Sequence, residues 1–252
     1  METNETNKLN ERNLKTLKDL NRDDYLLIFL VGIISTFAIS LLVGIIAGVV
    51  LAIKKYEYVS PSLQANITTY TTFATYLIAF ILFLVIILIK YRHEFFNEFK
   101  KIMPYLIGLF ACFAMIGFEQ IYFLLYTYAP FDIVGSNQQS IALTVQQNPA
   151  IMAITTVILA PFVEELTYRV GLFNLCKTRS KLFAYIIAPL VFALIHIDFL
   201  AGQEFIKELI VLPTYLFSAY TLTYIYDKYG FSASLFAHII NNLISVLILI
   251  YL

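Results

Sequence analysis

Long apolar runs alternate along this chain with short polar connections. A helix needs about 20 predominantly apolar residues to cross hydrocarbon. Seven runs reach or approach that length: Tyr25–Ile53, Thr68–Ile89, Ile102–Tyr128, Ala150–Cys176, Leu182–Ile197, Ile206–Tyr226 and Phe231–Tyr251. The pattern predicts an all-α fold, a polytopic transmembrane bundle of about seven spans. The fifth run is short, with room to extend past Asp198. The fourth is a span only if protein accommodates its Glu164, Glu165 and Arg169.

The connections set an orientation. Lys8, Arg12, Lys15, Lys18 and Arg22 lie in the N-terminal tail, Lys90, Arg92, Lys100 and Lys101 in the second loop, and Lys177, Arg179 and Lys181 in the fourth. The third loop, from Pro130 to Pro149, has no Lys or Arg and is rich in Gln, Asn and Ser. Lysine and arginine gather on the cytoplasmic side. The expected location is therefore the cell membrane, multi-pass, with a cytoplasmic N-terminus and the C-terminus outside; Lys54 and Lys55 fit least well. Three regions follow: a polar tail over 1–24, three spans with an outer loop over 25–149, and a helical core over 150–252. The tail has no short apolar stretch ending in small residues, so it does not read as a cleavable signal.

Composition sharpens this picture. Of 252 residues, 60% are apolar and 13% charged, against about 25% charged in soluble domains, and mean hydropathy is +0.79. Formal charge is zero, so no basic field points to nucleic acid. Cys112 and Cys176 form no CxxC pair and imply neither a disulfide framework nor a thiolate metal site. Gly44 and Gly48 form a GxxxG that can let helices pack closely or can be ordinary small residues. Asn66 opens a glycosylation sequon, relevant only in a eukaryotic secretory pathway.

Buried charge carries the chemistry. Glu164 and Glu165 adjoin inside the fourth run. A charged side chain at mid-bilayer costs about 2.5–3.5 kcal/mol on insertion scales, so such groups default to function. Glu165 and Arg169 are spaced i, i+4 with the acid first, the better order for a helical ion pair. Glu164 is turned by about 100° and can face a cavity. A packing network of all three is the bland alternative. Phe192 and His196 share a helix face, as do His238 and Asn242; for these the bland reading is interhelical hydrogen bonding. Only three histidines occur, and His93 lies in a charged loop. Counted from the cytoplasmic ends at 1.5 Å per residue, Glu164 lies roughly 18 Å deep, His196 roughly 21 Å, His238 roughly 10 Å and Asn242 roughly 16 Å. One shared, water-accessible site is geometrically allowed. Glu119, another acid in the third run, receives no role.

A carboxylate beside an imidazole can activate water, and a His with an Asn can hold an oxyanion. Together they describe amide hydrolysis without a covalent nucleophile. Glu164, His196 and His238 can instead ligate zinc with an open position for water. EExxxR, FxxxH and HxxxN, in this order on successive membrane helices, resemble the CPBP family of CAAX prenyl endopeptidases and bacteriocin-processing (Abi) proteins. The resemblance covers about residues 150–250. It implies an intramembrane protease with an all-helical core, acting on a peptide or membrane-protein substrate in bacteriocin or signal-peptide processing or self-immunity. By that resemblance Glu164 and His196 activate the attacking water, His238 and Asn242 stabilise the oxyanion, and Glu165 and Arg169 support the site, with Phe192 in its motif. A metal-free mechanism is preferred over zinc, because one acid and two histidines come without an HExxH cluster. Buried Glu, Arg and His also build proton relays. A transporter, or a non-catalytic immunity or scaffold protein, therefore remains an alternative. Against transport, the polar residues gather in one half rather than in two related halves.

Overall fold

A computed structural model describes residues 14–54, 59–126 and 134–251. Lys8, Arg12, Lys55, the Tyr128 end of the third predicted span and the Pro130 start of the third loop lie outside the described residues. Among those described, the fold is a bundle of helices: α1 (Arg22–Ile53), α2 (Pro61–Lys90), α3 (Arg92–Asn97), α4 (Met103–Tyr126), α5 (Ser136–Gln147), α6 (Pro149–Lys177), α7 (Lys181–Leu194), α8 (Phe205–Tyr229) and α9 (Phe231–Tyr251). Six of them, α1, α2, α4, α6, α8 and α9, are long and apolar enough to cross a membrane.

Helix ends follow local chemistry. Asn21 accepts from the Asp24 N–H and Asp24 accepts from the Asn21 N–H, a reciprocal cap that starts α1. Ser60 caps α2 by accepting from Leu63 N, with Pro61 at the first helical position. The cap places the start of α2 at Pro61, seven residues before the Thr68 expected from hydropathy alone. Gly230, at φ +97°, ends α8 and allows the sharp reversal into α9.

The fifth predicted span needs correction. The helix α7 has 14 residues, a rise of about 21 Å against a hydrocarbon core of about 30 Å. His196 does not sit on it but in the turn that follows. Even so, α7 carries the chain from one end of the bundle to the other. At one end Glu98 accepts from Leu17 N at 3.1 Å and from Phe231 N at 2.9 Å, and Asp227 pairs with Lys177 and with Lys181. At the opposite end Glu208 accepts from Ser136 N at 2.6 Å and from Asp198 N at 3.2 Å. The tail and the second, fourth and sixth connections thus share one end, as the alternation of charge predicts. The third loop also contains a helix, α5, that hydropathy did not reveal: its sequence is polar on most positions.

The core centres on α6. Its predicted span window is 67% buried, against 17–33% for the other long helices. The helix α1 lies against it so closely that a Cβ on Gly171 would come within 2.8 Å of the Phe29 Cα. A Cβ on Gly44 or Gly48 would meet nothing within 4 Å among the described residues, so the GxxxG mediates no close helix approach there.

Candidate active site

The acidic motif sits where α6 departs from regular α geometry. Thr155–Leu159 and Glu165–Phe173 are wound as π-helix, flanking Pro161 and Glu164. Such widened turns are rare and are found frequently at functional sites. Here they turn three charged groups inward from one helix: Glu165 is 0% exposed, Arg169 1% and Glu164 7%.

These groups form one cluster with α9. Arg169 lies 3.0 Å from Glu165 Oε1, the expected i, i+4 pair. His238 Nδ1 lies 2.9 Å from the same oxygen. Its other nitrogen, Nε2, is 3.7 Å from Glu164 Oε2. Tyr76 on α2 donates its hydroxyl to Glu164 Oε1 at 2.7 Å. Glu164 is thus held from both sides. Glu165 Oε2 and Arg169 Nε have no hydrogen-bond partner among the described residues, and the Arg169 guanidinium lies 4.0 Å from the centre of the Phe192 ring. A cation over an aromatic face gains about 2 kcal/mol or more when desolvated, which compensates part of that shortfall.

Phe192 is the hub that ties the histidines in. Its ring centre is 4.9 Å from that of His196 and 6.0 Å from that of His238, and Tyr168 packs edge-on against it at 5.3 Å. His196 also stacks on Tyr215 at 5.0 Å, and its Nδ1 lies 2.8 Å from the Phe192 carbonyl. Donation from Nδ1 to that carbonyl leaves Nε2 as the free nitrogen. His196 and His238 thus meet the same Phe192 ring. Asn242 donates to the Thr156 carbonyl at 2.9 Å, within the first π segment. That bond ties α9 to α6 and engages one of the two amide N–H groups.

A cavity of about 740 Å³ opens against Glu164. Thr36, Ser40, Thr72, Thr75, Tyr76 and Thr167 give it hydroxyls, and Phe37, Leu41, Ile45, Val163 and Ile195 give it apolar wall. His196, His238 and Asn242 are not among its lining residues, so the cavity meets this constellation at Glu164. The sequence reading missed Tyr76. A signal was available: Thr72, Thr75 and Tyr76 put three hydroxyls on one helix face, continuing the hydroxyl-rich run that begins at Thr68. Among the described residues no three His, Cys, Asp or Glu side chains gather as metal ligands. Glu119 lines a separate cavity of about 150 Å³ with Tyr122, Gln138 and Thr214.

Residues 146–244 match the family described as type II CAAX prenyl endopeptidase Rce1-like. The UPF0177 protein YvdC of Lactococcus lactis subsp. lactis (strain IL1403) is 33% identical over 118 residues, 46% of this chain. The match takes in 42% of that relative's length, so the chain aligns with less than half of it. No solved structure matches the chain.

Proposed function

We propose, from the match of residues 146–244 to the Rce1-like type II CAAX prenyl endopeptidases, that this chain is an intramembrane endopeptidase with Glu164 as the base that activates water. The observation that carries the reading is the position of Glu164, a buried carboxylate that lines a 740 Å³ cavity and faces His238 Nε2 at 3.7 Å. A membrane or membrane-bound peptide enters that cavity. Water held on Glu164 attacks the scissile carbonyl and gives its proton to the carboxylate. The C–N bond then breaks, and Glu164 passes that proton to the leaving amine.

Charge balance assigns the neighbours. Glu164 and Glu165 are two carboxylates served by the two basic side chains of the cluster, Arg169 and His238. With Nδ1 committed to Glu165, the Nε2–H of His238 is the donor available to an oxyanion. As Glu164 takes up the proton of the water, His238 Nε2 is the group left to face the oxygen that becomes negative. The second amide N–H of Asn242 joins His238 there, and His196 assists water on the free side of its ring. Glu165, Arg169 and Phe192 hold these groups in place.

The mechanism uses no metal or other cofactor. The alternative zinc set of Glu164, His196 and His238 is not gathered into a ligand group among the described residues. The substrate is a peptide or membrane protein, processed as a bacteriocin, as a signal peptide or in self-immunity. The cytoplasmic side is assigned to the end of the bundle that carries Lys177 and Lys181, because Lys and Arg gather there.

The deciding experiment is cleavage of membrane peptides by the purified chain, with and without chelator, beside Glu164→Ala, His196→Ala and His238→Ala. Chelator-resistant cleavage that each substitution abolishes is expected. Full cleavage by Glu164→Ala would remove the proposed base.

A further inference from the structure

We propose that Tyr76, outside the family-matched segment, is a positioning residue that fixes which oxygen of Glu164 serves as the base; the inference rests on the proteolytic reading above. Tyr76 is carried by α2 in the N-terminal half, whereas the family match begins at residue 146. Its hydroxyl donates to Glu164 Oε1 at 2.7 Å, a short contact for a neutral donor on a carboxylate. The other oxygen, Oε2, is the one that faces His238 at 3.7 Å. The two oxygens therefore have different neighbours, contributed by two different helices, α2 and α9.

That division matters for a base that must both take and return a proton. A carboxylate pivoting about its Cγ–Cδ bond presents either oxygen, and each pivot moves the bound water by more than an ångström. With Oε1 occupied, water is directed to Oε2, beside His238, where the oxyanion donor stands. A misplacement of about 1 Å costs on the order of a hundredfold in rate. The location of Tyr76 is suited to this task, because its hydroxyl lines the cavity while its ring is anchored in the core around α6. Thr75, its neighbour on the same cavity wall, has a buried hydroxyl without a partner among the described residues. This stretch of α2 is thus a hydroxyl-bearing wall of the cavity, contributed by a segment the family match does not cover.

The test compares the full-length chain with Tyr76→Phe, which keeps the ring and removes only the donor, and with Tyr70→Phe, an exposed tyrosine on the same helix. Two readouts are taken. The first is kinetics on a quenched fluorogenic membrane peptide that the wild type cleaves. Tyr76→Phe should lower kcat about tenfold to a hundredfold with KM within about twofold, because the lost contact acts on the base rather than on substrate binding. Tyr70→Phe should match the wild type, and unfolding temperatures should agree for all three.

The second readout needs no substrate. Dicyclohexylcarbodiimide attacks protonated carboxyls, and mass spectrometry gives its rate at Glu164. Removing the donor that stabilises the ionised form should raise that rate several-fold in Tyr76→Phe alone. If the wild type cleaves and Tyr76→Phe keeps its kcat, or if the carbodiimide rate at Glu164 does not change, the positioning role is overturned. If the wild type cleaves nothing while the carbodiimide rate rises as expected, the hydrogen bond stands and the proteolytic reading fails.

Discussion

His238 and Glu165, 73 residues apart in sequence, meet at 2.9 Å with their contact buried between α6 and α9. The same Glu165 oxygen also pairs with Arg169 at 3.0 Å. One carboxylate therefore anchors a cation from its own helix and an imidazole from another. That arrangement fixes the ring of His238 about its Nδ1 and turns Nε2 toward Glu164.

Because Glu165 is fully buried, Glu165→Ala leaves Arg169 and His238 without their shared counter-charge. Breaking a buried pair in this way costs about 3–5 kcal/mol. The expected outcome is a large drop in unfolding temperature in detergent together with loss of cleavage. Glu164→Gln, which keeps size and hydrogen-bonding capacity, should abolish cleavage with little thermal effect. Equal thermal losses in the two variants would count against the division of labour between the paired glutamates.

Phe192→Leu removes the ring face beneath Arg169 and the contacts to both histidines. Lost packing and lost cation–π attraction together should destabilise the chain by about 2 kcal/mol. Phe192→Tyr retains the face and should recover most of that stability, measured by thermal unfolding.

Asn242→Ala separates anchoring from catalysis. Losing one hydrogen bond to the Thr156 carbonyl costs about 1 kcal/mol of stability, whereas losing an oxyanion donor costs about a hundredfold or more in kcat. A hundredfold fall in kcat with a small thermal change is expected. A thermal change with kcat preserved would reduce Asn242 to a helix anchor.

Glu98 makes stability pH-dependent. Burial pushes its carboxyl above the usual carboxylate range, and the backbone N–H of Phe231 offsets only part of that. The folded chain therefore keeps this proton to higher pH than the unfolded chain. The contribution is fully present below the ordinary carboxyl pKa of about 4.3 and is lost as pH rises through the raised folded value. Glu98→Gln, which does not titrate, should flatten this component. The gap between the two unfolding temperatures should move in the variant's favour as pH rises through that window; a gap constant with pH would refute the assignment.

The buried polar cluster of the chain was legible in part because membranes penalise charge. An acid pair, an i, i+4 arginine and two deep histidines stand out against apolar runs, and that contrast located Glu164, Glu165, Arg169, His238 and the Glu165–Arg169 pair. The same logic read α7 too long, since hydropathy marks apolar residues but not where Ile195 turns the backbone out of the helix and carries His196 beyond it. Tyr76 stayed hidden because its role depends on α2 lying beside α6, a contact that leaves no mark in local spacing.

The sequence by itself determined that the chain is a helical membrane protein, which end of each helix carries its charges, and which residue types are too costly to bury without a use. Only the tertiary structure decided which oxygen of Glu164 faces His238, that Phe192 lies under Arg169, and that the cavity opens at Glu164 rather than at the histidines. Hydrophobic burial depends on composition summed over a run, so it survives reading one residue at a time. Hydrogen bonds and ring contacts depend on distances of a few ångströms between segments remote in the chain, and those are set only when the helices pack.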